Sequence, residues 1–182
     1  MLTLRSYEKS DAGIIVGWTG DEIAFRKWCA DRYDRWPITA DDMNRNYDGF
    51  AGGFWPMTAM EDGVPFGHLI IRSVEGEKRT VRFGFVIVDP EKRGRGLGRE
   101  LLLMALRYAF VELGAERVTL GVFENNPSAR RCYLAAGFRE LDSGGPEYFR
   151  IMGEKWRCIE MERLPDAPAD TDAPPQNAKK AL

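Results

Sequence analysis

The sequence carries a single histidine, His68, and only three cysteines, Cys29, Cys132 and Cys158, none of them in Cys-x-x-Cys spacing. That inventory excludes both a disulfide framework and a nitrogen–sulfur zinc site. Long apolar stretches are missing as well. The longest in the middle of the chain, Leu101 to Leu106, falls far short of the roughly 20 residues that span a bilayer. The segment Met1 to Lys9 becomes charged at Arg5 and offers no apolar core of a signal peptide. Nor is there a basic excess: 26 Lys and Arg stand against 28 Asp and Glu, a net charge of -2. Coating nucleic acid or an anionic membrane requires the opposite balance. The expectation from these absences is a reduced, cytoplasmic protein with no metal, no nucleic-acid partner and no membrane partner.

What is present is enough for one core. A length of 182 residues with 44% hydrophobic and 12% aromatic content is short for two independent domains. Past Leu164 the composition collapses into Pro, Ala, Asp, Gln and Lys, with Pro165, Pro168, Pro174 and Pro175 and almost nothing apolar to bury. We expect one domain over residues 1–164 and a disordered Pro/Ala-rich tail over 165–182.

Leu2 to Arg5 reads as a short strand, and Ser10 or Asp11 as the cap of a helix carrying Ala12, Ile14, Ile15 and Trp18. Asp21 to Gly53 mixes aromatic and charged residues at irregular spacing and reads as helical pieces. Phe54 to Met60 and Pro65 to Arg72, joined through Glu61-Asp62-Gly63, predict an antiparallel hairpin. A third strand, Thr80 to Val88, completes a meander and ends at Asp89-Pro90, because proline cannot donate to a ladder. The period then changes: Leu97, Leu101, Leu102, Ala105, Tyr108 and Ala109 recur at helical spacing up to Gly114. Val118, Leu120 and Val122 alternate as a strand, so the helix is a crossover between parallel strands. Asn126-Pro127 starts another helix that stops at Gly137, and Gly137 to Leu141 and Trp156 to Arg163 are further strands. Fold class is therefore mixed α+β.

Between the meander and the crossover helix lies Lys92-Arg93-Gly94-Arg95-Gly96-Leu97-Gly98-Arg99. A strand leading through glycines into a helix brings unpaired backbone N–H groups and the positive end of the helix dipole together. The four cations add to this, and the loop suits a pyrophosphate. A solvated basic turn would carry the same residues. A dinucleotide fingerprint would follow the first strand of a βαβ unit, whereas this loop follows an antiparallel meander. A triphosphate loop would need Gly-Lys followed by Ser or Thr, which the chain lacks.

The strand end Val88-Asp89-Pro90, followed by Arg93-x-x-Gly96-x-Gly98, resembles the central motif of the GNAT N-acetyltransferases. The run Asn126-x-x-Ala129-x-x-x-Tyr133-x-x-x-Gly137-Phe138 is similar to that family's motif on the far side of the cofactor. The resemblance implies a GNAT fold: a central mixed sheet of about six or seven strands with about four helices, splayed between two central parallel strands. It implies acetyl-coenzyme A as co-substrate and a primary amine, of a small molecule or of a protein terminus or lysine, as acceptor, with direct attack in a ternary complex and no metal. Dimers are common among such proteins, so a homodimer is a further expectation. Carried over by position, Val86, Ile87 and Val88 pair with the pantetheine arm and polarise the thioester carbonyl. Backbone groups from Arg93 through Gly94, Arg95, Gly96, Leu97 and Gly98 to Arg99 hold the pyrophosphate. Asn126 contacts the cofactor arm, a role beside its adequacy as a helix cap, and Tyr133 protonates the departing thiolate, a role beside simple packing.

The general base is less defined. Some members of the family place a glutamate on the strand after the crossover helix, where this chain has Gly121. Glu22, Glu124, His68 or a water relay remain as substitutes, and a lone strand histidine is more often structural. The acceptor is expected against the segment from Trp18 to Phe54, whose Asp21, Glu22, Asp31, Asp34, Asp41 and Asp42 either favour a cationic amine or form a solvated face. The missing glutamate keeps a second reading open, a non-catalytic acyl-CoA-binding or regulatory module of the same fold.

Overall fold

A computed structural model describes residues 1–142 and 145–166. Among them are eight strands and five α-helices, somewhat more than the sequence predicts. In chain order these are β1 (Leu2–Ser6), α1 (Ala12–Gly17), α2 (Glu22–Cys29), α3 (Ala40–Asp48), β2 (Phe54–Glu61), β3 (Val64–Val74), β4 (Glu77–Val88), α4 (Leu97–Arg107), β5 (Arg117–Phe123), α5 (Pro127–Ala135), β6 (Arg139–Glu140), β7 (Glu147–Ile151) and β8 (Glu154–Arg163). The strand that the sequence does not announce is β7, whose exposed Glu147, Tyr148 and Arg150 carry no strong alternation. From Ala167 onward the proline-rich tail lies outside the described residues. No described helix is long and apolar enough to cross a membrane.

The sheet order is β1-β2-β3-β4-β5-β8-β6, with β7 also on β8. β2 to β4 form the expected antiparallel meander, β1 adds antiparallel to β2, and the β2–β3 turn falls on Asp62-Gly63, both at positive φ. β5 returns parallel to β4 after the α4 crossover. Tyr108 to Glu112 continue α4 as a π-helical turn before Gly114.

Helices cover both faces. One core cluster joins Leu69, Ile71, Phe83, Leu120 and Met161 of the sheet to Leu101, Leu102 and Ala105 of α4. The other packs Ile15, Phe25, Trp28, Met43 and Tyr47 of the first three helices against Ile70 and Ile87. β3 is therefore buried from Phe66 to Ile71 without interruption. Each such side chain contributes roughly 1.5–3 kcal/mol by leaving water.

Two buried polar groups fix the second face. Asp11 heads α1, yet its carboxylate does not cap that helix. It accepts two hydrogen bonds from Arg5 at 2.8 Å each, one from Thr58 Oγ1 at 2.8 Å and one from the Glu8 N–H at 2.9 Å. Burial raises its pKa, but these donors outweigh burial and hold it below the ordinary value. His68 has no solvent exposure, bonds Tyr47 Oη through Nε2 at 2.8 Å and leaves Nδ1 without a partner. Burial pushes its pKa down to about 3, only partly opposed by Asp11.

A folded-state pKa below the unfolded value near 6.5 means that the fold holds His68 neutral. Stability is then complete above pH 6.5 and is lost as pH falls from there toward about 3. The expected acid-side slope is up to about 1.4 kcal/mol per pH unit. Denaturant melts of the native chain and of His68→Gln between pH 6.5 and 4.5 check this. The glutamine variant loses that slope; parallel profiles would refute the assignment.

Candidate active site

β4 and β5 stay together for only three registers, Thr80 with Arg117, Val81 with Val118 and Arg82 with Thr119. Beyond Arg82 they part, while β5 remains paired with β8 as far as Phe123. The cause lies on β4. Between the pairs Ile70–Gly84 and His68–Ile87, β3 advances two residues and β4 three, so one extra residue bulges from β4. Phe85 takes up the irregularity at φ 51°, a conformation costly for a residue with a large side chain. Its carbonyl accepts a 2.8 Å hydrogen bond from Trp28 Nε1 of α2, and its ring lies 5.1 Å from that of Trp28. Burial of an indole with its N–H satisfied offsets the local strain.

The fork opens into a cleft of about 760 Å³. Val86, Ile87, Val88, Arg93, Gly94, Gly96, Leu97, Gly98, Arg99, Asn126 and Tyr133 all line it, so the structure brings together nearly every residue that sequence reasoning selected. Gly94 and Gly96 sit at φ 78° and 79°, and Gly96 begins α4 without a side-chain cap. The first N–H groups of the helix, Leu97 and Gly98, therefore face the cleft end with no intrahelical acceptor. That is what an anionic pyrophosphate requires.

Arg95 is the exception. Its side chain points to Glu61 at the end of β2, at 2.8 Å, and Lys92 reaches the same carboxylate at 3.1 Å. Lys92, then the opposing burial, then Arg95 act on Glu61, with a net pKa below the ordinary range. Arg95 thus contributes its backbone to the loop and its charge to a tether. Arg93 Nε donates to the Val88 carbonyl at 3.2 Å, and Arg99 Nε to the Ala135 carbonyl at 3.1 Å, which joins α4 to α5.

Asn126 caps α5, its side chain accepting from the Ala129 N–H at 3.4 Å, and it also lines the cleft. Tyr133 is buried in the main core, tilted against Phe138, and reaches the cleft. Burial pushes its phenol pKa up, so the proton stays on oxygen at physiological pH. No hydrogen-bond partner for that hydroxyl occurs among the described residues.

None of the three suggested bases lines the cleft. His68 is sealed beneath α3, Glu22 pairs with Arg26 at 3.4 Å, and Glu124 pairs with Arg157 at 3.2 Å on the surface. Among the described residues the one carboxylate in the wall is Asp21, which caps α2 by accepting from the Ala24 N–H at 2.8 Å. Trp18, Ile23, Lys27 and Trp28 flank it. Sequence reasoning put Asp21 in an acidic segment without separating it from its neighbours. Its signal was position: it precedes an eight-residue helix. Ser128 and Arg131, one turn apart on α5, also line the cleft and were missed.

If Glu61 orients the loop, Glu61→Gln weakens coenzyme A binding by about threefold, the scale of solvent-screened pairs. Titration calorimetry reads the change directly; tighter binding would show that Glu61 instead competes with the phosphates for Lys92 and Arg95.

A family model described as the acetyltransferase (GNAT) family matches residues 22–138. The chain is 27% identical over 149 residues to the spermidine N(1)-acetyltransferase of Vibrio cholerae serotype O1, covering 81% of this chain and 84% of that one. Over 122 residues it is 34% identical to the mycothiol acetyltransferase of Nocardiopsis dassonvillei, covering 63% of this chain and 37% of that protein. The solved spermidine N-acetyltransferase from Vibrio cholerae superposes with a TM-score of 0.75 at 24% identity, over 90% of this chain and 95% of that chain. The forked sheet, the uncapped glycine loop and the family-model match over residues 22–138 agree: this chain belongs to the acetyltransferase (GNAT) family.

Proposed function

We propose that this chain acetylates a primary amine of a small polyamine-like cation, with acetyl-coenzyme A as donor and with direct attack of the amine on the thioester in a ternary complex. Acetyl transfer to an amine follows from membership of the family and from relatives named as acetyltransferases. The polyamine class is supported by the spermidine N(1)-acetyltransferase, which is similar over most of its length. The observation that carries the site assignment is the fork after Arg82, which leaves one edge of β4 without a strand partner beside the uncapped start of α4.

In this reading acetyl-coenzyme A supplies an activated acyl group, and the chain's residues do the rest. The open edge of β4 at Val86 to Val88 offers backbone groups to the pantetheine arm and an N–H to the thioester carbonyl. The loop from Arg93 to Arg99 holds the pyrophosphate. Tyr133 keeps its proton for the departing sulfur, because burial disfavours the phenolate. Asp21 draws the cationic acceptor into the cleft. With no other carboxylate in that wall among the described residues, the ammonium proton leaves through water.

Three outcomes are expected. Tyr133→Phe preserves the packing against Phe138 and lowers kcat by about 10²-fold, with coenzyme A affinity near native; unchanged kcat would reduce Tyr133 to a core residue. Asp21→Asn keeps the helix cap and raises the acceptor KM by about fivefold while the acetyl-coenzyme A KM holds, measured by thiol release across a panel of spermidine, spermine and monoamines. The pH profile follows from signs: primary amines titrate near 10, so kcat/KM rises from pH 7 to 9, and the raised Tyr133 pKa imposes no falling limb in that window. Coenzyme A binding with no amine-dependent thiol release would overturn the reading.

A further inference from the structure

Arg82 is the last residue of β4 paired with β5 before the strands part. Its side chain leaves its own strand, passes over Gly121 of β5 and meets Glu160 of β8 in a two-point contact, Nη2 to Oε1 at 2.6 Å and Nη1 to Oε2 at 2.7 Å. Nη1 also lies 3.5 Å from Thr119 Oγ1. Gly121 is the register partner of Glu160. A Cβ on Gly121 would stand 2.7 Å from Cys158 Sγ, 2.9 Å from Arg82 Nη2 and 3.2 Å from Glu160 Oε1. The guanidinium can lie across β5 only because that position has no side chain. Both charged groups are largely buried, with side-chain exposures of 24% and 18%. Burial opposes the charge on Arg82, and the Glu160 carboxylate more than restores it.

This contact spans the fork. It ties the strand on one side of the opening to the strand beyond the other, at the level where β4 and β5 diverge. Gly84, Phe85, Leu120 and Gly121, which line the cleft, all lie just past it. A bidentate Arg–carboxylate pair fixes angle as well as distance, whereas backbone pairing no longer constrains the two strands beyond Arg82.

We propose that the Arg82–Glu160 pair, seated on Gly121, is a clamp that sets how far the β4–β5 fork opens, and so acts as a positioning device for acyl transfer. The catalytic consequence rests on the acetyltransferase reading of the fork; the mechanical one does not. Two variants test it: Glu160→Gln, which keeps the shape and removes the charge, and Gly121→Ala, which lifts the guanidinium off β5. In each folded variant, kcat for amine-dependent thiol release falls at least about tenfold while the acetyl-coenzyme A KM stays within about threefold, because the pyrophosphate loop is untouched. Native kcat in either folded variant, or a KM that rises in step with the fall in kcat, overturns the clamp. A mechanical readout stands apart from activity. Amide exchange without ligand quickens at Phe83 to Ile87 in Glu160→Gln and stays native in β1 to β3. Unchanged exchange there overturns the clamp even where the native chain acetylates amines. Faster exchange in a chain that releases no thiol with any amine keeps the clamp and overturns the acetyltransferase reading alone.

Discussion

The departure of β4 from β5 after Arg82 is the constraint on which the rest of the site depends. A sheet that stayed paired would offer a ligand no edge, and a sheet that parted without support would expose unsatisfied backbone. Here one extra residue turns the strand at Phe85, and the strained backbone is held by aromatic packing and by the Trp28 indole N–H. α2 is thus part of the apparatus that keeps the edge of β4 open. The uncapped start of α4 lies a few residues beyond the open strand, so one short stretch of chain, from Arg82 to Arg99, supplies both the open edge and the free helix N–H groups.

Electrostatics in this stretch are arranged pairwise. Arg82 goes to Glu160, and Lys92 and Arg95 go to Glu61. Arg99 goes to Glu100 as well, so much of the positive charge that looks available to phosphates in the sequence is already matched, which leaves backbone N–H groups, Arg93 and Arg131 at the cleft. On the opposite side the balance is different. Asp21 is the one carboxylate in the wall among the described residues, and His68, the one residue with an imidazole, is sealed in a neutral state.

Much of this was legible in the sequence, for physical reasons that differ between elements. The meander was readable because Asp62-Gly63 can turn tightly and because β3 and β4 carry apolar side chains with β period. The crossover was readable because Leu97 to Ala109 changes that period to the helical one. The glycine loop and the Asn126 to Phe138 run were readable because they are local in sequence. What failed to show was non-local. Phe85 does not look like a bulge residue, since positive φ at phenylalanine is paid for by Trp28, 57 residues away. Glu22, Glu124 and His68 were all candidates for a base on chemistry, with a structural role already favoured for the histidine, and only tertiary placement removes them from the cleft. The absence of a side chain at Gly121 read as a missing glutamate; in three dimensions that space is taken by Arg82 and Glu160.

Trp28 has a consequence beyond packing. It lines the cleft next to Asp21 and at the same time holds the carbonyl of the bulge. A displacement of α2 therefore disturbs the open edge of β4, so the cleft wall beside Asp21 and the strand edge share one mechanical joint. Linkage then requires reciprocity: whatever factor the donor imposes on acceptor affinity, the acceptor imposes on the donor. A single indole thus couples the two sides of the cleft in affinity, whatever the order of binding.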